Sequence, residues 1–141
     1  MASFSSPSIV CWQETYRTGD DRIDQDHKVL FELVTSLQAA IQASASSAHL
    51  KMLLQVISEH TAEHFQHEEA LMLKYRYDGY SRHKQVHDQL LKKVSRLLSQ
   101  FEQSDILLIE NLTNFLTEWL AHHIRGEDQN MIDFLRKRHH F

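Results

Sequence analysis

Apolar positions recur along this chain at alternating steps of three and four, the stripe of a helix with one buried face. The first stripe runs through Ile23, His27, Leu30, Val34, Leu37 and Ile41, and the second through Leu53, Ile57, His60, His64, Glu68 and Leu71. The third runs through His83, His87, Leu90, Val94, Leu97 and Phe101, and the fourth through Ile109, Leu112, Leu116, Trp119 and His123. Small polar breaks separate them at 44–47, at 76–80 around Gly79, and at 103–105, where Ser104 or Asp105 can cap the next helix. Short connections make successive helices antiparallel neighbours. The predicted fold is therefore all-α: an up-down-up-down antiparallel four-helix bundle over residues 21–138, with an irregular N-terminal arm over 1–20 whose Trp12 and Tyr16 pack on it. With 3 Gly and 1 Pro, the chain has little turn chemistry for any other architecture.

These stripes contain groups that an apolar seam normally excludes. Five histidines and two carboxylates fall in four clusters: His27; His64 and Glu68; His83 and His87; His123 and Asp128. Burying ionisable groups is costly unless they are paired, hydrogen-bonded or bound to metal. In the predicted topology all four clusters come to one level. His27 lies about 18 residues before a turn near 45 and His64 about 19 after it, so at roughly 1.5 Å per residue they match within a turn. His87 and His123 are level about the third turn in the same way. His64 with Glu68, and His83 with His87, are spaced to share a helix face. His123 and Asp128 stand five apart, about 140° round an ideal helix, so a π-turn or break is expected at 124–128, with Gly126 permitting it.

Imidazole and carboxylate donors without thiolate suit iron, manganese or zinc. Two octahedral metals offer about twelve positions. Five histidines, two bridging carboxylates and one bridging oxygen would fill all but one. A two-metal site with one open position in a dry bundle, with no spare acid or base beside it, is suited to binding one small molecule rather than to catalysis.

The order and spacing of the motifs resemble the hemerythrin family, specifically its single-domain bacterial members. The matching stretches are Ile23-Asp24-Gln25-Asp26-His27, His64-Phe65-Gln66-His67-Glu68-Glu69-Ala70-Leu71-Met72, His83-x-x-x-His87 and Trp119-Leu120-x-x-His123-Ile124-x-x-x-Asp128, and the resemblance covers roughly residues 10–136. It implies a non-heme, oxo- or hydroxo-bridged di-iron centre. His83, His87 and His123 would hold one iron, His27 and His64 the other, and Glu68 and Asp128 would bridge them. O2 would bind reversibly at the second iron, in an apolar pocket of Leu30, Phe65, Trp119, Leu120 and Ile124, whose dry walls slow proton-assisted oxidation of the centre.

The remaining chemistry narrows the reading. The net charge of −4, with both signs interspersed, offers no stripe for nucleic acid, and no apolar run approaches a membrane span. Cys11 is the single cysteine, read as a small buried hydrophobe, and the start lacks the features of a signal peptide. A cytoplasmic monomer is expected. His49, Glu63 and Glu69 read as solvated, His67 and His122 as lying off the seam, and His139 and His140 as a solvated tail. His60, one turn before His64, is either a satisfied core histidine or a residue that donates to a bound ligand. The expected function is reversible O2 binding (storage, delivery, scavenging or sensing) rather than enzymatic turnover. A di-iron enzyme acting on O2, peroxide or nitric oxide is the alternative, supported by His60; iron handling and a purely structural bundle are weaker readings.

Overall fold

A computed structural model describes residues 12–100 and 106–139. The helices are α1 (Asp21–Gln42), α2 (Ser47–Lys74), α3 (Tyr80–Gln100) and α4 (Ile106–His123). α4 runs through a π-turn, Ile124–Asp128, into α5 (Gln129–His139). α1 packs against α2 and α4, and α2 against α3, as an antiparallel bundle requires. Among the described residues no helix is long and apolar enough to cross a membrane. Cys11, the break at 103–105 and His140 lie outside the described residues.

Side chains close the helix starts. Asp20 accepts from Ile23 N at 2.9 Å and Ser46 from His49 N at 3.2 Å, each taking up a backbone donor that the helix leaves free. Both described turns end their helix with a left-handed residue, Ser44 (φ 56°) and Arg76 (φ 54°). Behind them Ala45 N reaches Ala40 O at 3.0 Å and Tyr77 N reaches Met72 O at 2.9 Å, a Schellman closure without glycine. Gly79, within the break expected at 76–80, is not its left-handed residue.

Among the described residues the apolar interior divides in three. The main core, with Leu37, Leu50, Leu54, Val94, Ile109 and Leu112, fills the end of the bundle remote from the histidines. A second cluster joins Tyr16, Leu30, Phe31, Leu120 and Ile124. Here a short 3-10 turn (Glu14–Tyr16) stacks Tyr16 on Phe31, ring centres 5.1 Å apart, with Trp12 packed alongside. Buried Asp24 anchors this segment by accepting from Thr18 N and Oγ1, both at 2.8 Å, and from Gly19 N at 3.2 Å. The third cluster, Ile23, Met72, Met131, Ile132 and Leu135, closes the histidine end. It depends on α5, an element absent from the predicted stripes, which carries the helix as far as His139.

The buried face of α2 differs from expectation. Leu50, Leu54, Ile57, His64, Phe65, Glu68 and Met72 are buried, whereas Leu53, His60 and Leu71 are only partly so. Successive residues turn by roughly 100°. Packing by α1 on one flank and α3 on the other buries an arc centred between the Ile57–His64 line and the Leu54–Phe65 line. That rotation moves His60 to the edge and turns Thr61 inward.

Candidate metal centre

The structure brings all seven predicted donors together, each buried. α1 contributes His27, α2 His64 and Glu68, α3 His83 and His87, and the end of α4 His123. Asp128 arrives through the π-turn, whose wider loop brings residues five apart into line, so that its Oδ1 stands 3.1 Å from His123 Nε2. Gly126 is not what permits the turn: it has no positive φ, and a Cβ there would meet nothing within 4 Å.

The donors form two groups. Glu68, His83, His87, His123 and Asp128 make one; His27, His64, Glu68 and Asp128 make the other. Each carboxylate gives one oxygen to each group. Glu68 Oε1 lies 3.2 Å from His87 Nε2, while Oε2 lies 3.0 Å from His64 Nε2. Asp128 Oδ1 lies 3.0 Å from His83 Nε2, while Oδ2 lies 2.9 Å from His27 Nε2. The three Nε2 atoms of the first group crowd together: His83 to His123 is 3.2 Å and His87 to His123 is 3.1 Å.

This set can hold metal. Donors about 2.1 Å from one octahedral ion, at right angles to each other, stand about 3.0 Å apart, close to the spacings here. His27 Nε2, His64 Nε2 and both Glu68 oxygens are buried without a hydrogen bond, although facing atoms stand at ion-pair distance. A buried polar atom left so costs about 1–3 kcal/mol, and ligation is the compensation that this chemistry suits.

Electrostatics ties the groups together. Burial disfavours the imidazolium of His64, but the charge of Glu68, 3.0 Å from Nε2, and the hydrogen bond with Asp26 prevail and push it up to about 10. His83, opposed by burial, is raised to about 9 through Asp128 and Glu68, and His27 is raised against burial by the same two carboxylates. Burial pushes the pKa of Glu68 and Asp128 up, yet the histidines around them hold both well below the usual carboxylate range. Without metal His64 and His83 keep protons at neutral pH, and an incoming metal must displace them.

Two carboxylates outside the predicted set also reach the site. His64 Nδ1 donates to Asp26 Oδ2 at 2.9 Å, and this bond, ahead of burial's opposing effect, lowers the Asp26 pKa. His87 Nδ1 donates to Glu69 Oε2 at 2.9 Å, so Glu69 is not the solvated residue expected. His67 borders Asp26 at 3.6 Å, while His49, Glu63 and His122 are exposed. The only hint of these partners in the chain is position: each acceptor is the immediate neighbour of a donor, Asp26 of His27 and Glu69 of Glu68.

A cavity of about 20 Å³ adjoins the donors; one water-sized molecule needs about 10–15 Å³. Of the predicted pocket residues, Leu30, Phe65, Trp119 and Leu120 line it. Ile124 does not; it packs beside the wall with Tyr16, Leu30, Phe31 and Leu120. Nor does His60; Thr61 lines it, together with Val34, Ile57, Leu90 and Leu116. Thr61 Oγ1 donates to Ile57 O at 2.7 Å.

Known proteins are similar to this chain in sequence. A family model, the hemerythrin HHE cation binding domain, matches residues 18–135, a span containing all seven donors. Bacteriohemerythrin of Stenotrophomonas maltophilia is 32% identical over 126 residues, 89% of this chain and 81% of its own length. Bacteriohemerythrin of Pseudomonas aeruginosa is 30% identical over 125 residues, 89% of this chain and 80% of its own. Myohemerythrin-1 of Phascolopsis gouldii is 32% identical over 125 residues, 89% and 93% respectively. With donors, bundle and cation-binding domain in agreement, this chain belongs to the hemerythrin family.

Proposed function

We propose that this protein binds O2 reversibly at a non-heme di-iron centre. His83, His87 and His123 hold one iron, His27 and His64 hold the other, and Glu68 and Asp128 bridge the two. The observation that carries the reading is where the cavity lies. His27 and His64, the two histidines of the group with fewer donors, both line it, whereas of the other group's three only His123 does. A small ligand in that space meets the less crowded metal position. When bound, two ferrous ions supply the electrons that hold O2 reversibly.

The chain's own residues favour release of the ligand unchanged. Leu30, Val34, Ile57, Phe65, Leu90, Leu116 and Leu120 carry no ionisable group, and Trp119 beside them carries only an indole N–H. Among the described residues the one hydroxyl on the wall, on Thr61, is committed to Ile57 O. His64 Nδ1 is committed to Asp26. His60, the residue that would favour an enzyme acting on O2, peroxide or nitric oxide, is not on the wall. The test is an optical spectrum of iron-quantified protein taken through anaerobic reduction, air and deoxygenation. A visible band that appears in air and vanishes when O2 is removed supports the proposal. A ferric spectrum that forms at once and does not reverse, with turnover of peroxide or nitric oxide, overturns it.

A further inference from the structure

We propose that Asp26 and Glu69 are positioning residues for the metal centre, one for each donor group, each acting across a helix interface. The inference rests on the two-metal reading above. Asp26 stands on α1 beside His27 but receives the Nδ1–H of His64 on α2. Glu69 stands on α2 beside Glu68 but receives the Nδ1–H of His87 on α3. A carboxylate at Nδ1 keeps the proton there and leaves the Nε2 lone pair for metal. Both Nε2 atoms then face the same bridging carboxylate, His64 at Oε2 (3.0 Å) and His87 at Oε1 (3.2 Å) of Glu68. By contrast, His27 Nδ1 and His83 Nδ1 are buried without a hydrogen bond. Each group thus holds at least one histidine backed by charge and one that is not.

The two braces are unequal. His87 has a second restraint, since its ring stacks on Phe65 at 3.7 Å with planes 4° apart. His64 meets Phe65 only at a tilt, at 6.2 Å, and His27 edge-on. His64 is also one of two imidazoles in its group, whereas His87 is one of three. Loss of the Asp26 brace therefore costs more than loss of the Glu69 brace.

The test uses the full chain loaded with Zn2+, which is diamagnetic and accepts these donors. Retention is followed by competition with a chromophoric chelator, and the histidine N–H protons by NMR. The expected result is that wild type holds about two Zn2+. Asp26→Ala should weaken one of them by about 10–100-fold, the usual cost of losing such a partner. Glu69→Ala should weaken retention less. The conservative Asp26→Asn should restore part of the loss, and the His64 Nδ1–H resonance should move in the Asp26 variants and not in Glu69→Ala. Two zinc ions held by Asp26→Ala with wild-type affinity, or an unmoved His64 resonance, would overturn the braces and leave the proposed centre standing. Failure of wild type itself to hold two metal ions would overturn both.

Discussion

The two donor groups share both carboxylates and differ in their surroundings. In the five-donor group, aromatic faces cover two of three imidazoles: Phe65 lies on His87 at 3.7 Å and Trp119 on His123 at 4.3 Å. In the four-donor group, His27 and His64 touch edge-to-face and line the cavity. One side of the site is packed against the bundle and the other faces a small apolar space. On the proposed two-metal reading, unequal filling of one level of the core, with four donors on one side and five on the other, would give a small ligand a single place to go.

Glu68→Ala takes an oxygen from both groups at once. Metal content after chelator challenge should fall from about two ions per chain to fewer than about one; retention of two would deny the shared carboxylate. His27→Ala and His83→Ala each remove one imidazole, but the first leaves its group with one and the second leaves two. Calorimetric metal titration should therefore find His27→Ala the more damaging, losing about one ion per chain. The opposite order would reverse the assignment of the weaker group.

Metal-free protein offers a test of the charge coupling. His64 and His83, ordinarily near 6.5, are raised to about 10 and about 9, so their stabilisation is full below 6.5 and is lost as pH rises through those values. Glu68 and Asp128, ordinarily 4.5 and 3.8, are depressed, so their contribution is present above those values and is lost as pH falls below them. The melting temperature of the metal-free chain should thus peak between about pH 4.5 and 6.5 and fall on both sides. The smallest effect belongs to Thr61→Val, which keeps the shape of the cavity wall and removes its hydroxyl. Urea unfolding should change by about 1 kcal/mol or less, with the O2 cycle intact. Faster irreversible oxidation in this variant would give the hydroxyl a part in ligand retention.

The donors were readable in the chain because helical geometry alone decides their meeting. The steps between His64 and Glu68 and between His83 and His87 fix a shared face, and the distances to the turns fix the height. The five-residue step from His123 to Asp128 likewise demanded the irregularity found as the π-turn. What could not be read depends on how far each helix turns toward two neighbours at once. Asp26 and Glu69 sit one step off the seam, where a carboxylate ordinarily meets water, and only the placement of α2 beside α1 and of α3 beside α2 sets them against a histidine. The same rotation leaves His60 at the edge, off the cavity wall, and sets Thr61 on it. α5 was missed because the π-turn breaks the period, so that Met131, Ile132 and Leu135 do not continue the fourth stripe.

Reversible O2 binding at a pair of irons fixes the stoichiometry of gas exchange. Reduced, iron-loaded protein is equilibrated with a known amount of O2, the uptake is measured, and the gas released under vacuum is counted. The expected result is about one O2 taken up for each pair of irons and the same amount recovered as O2. Uptake that is not recovered, with the irons left ferric, would contradict it.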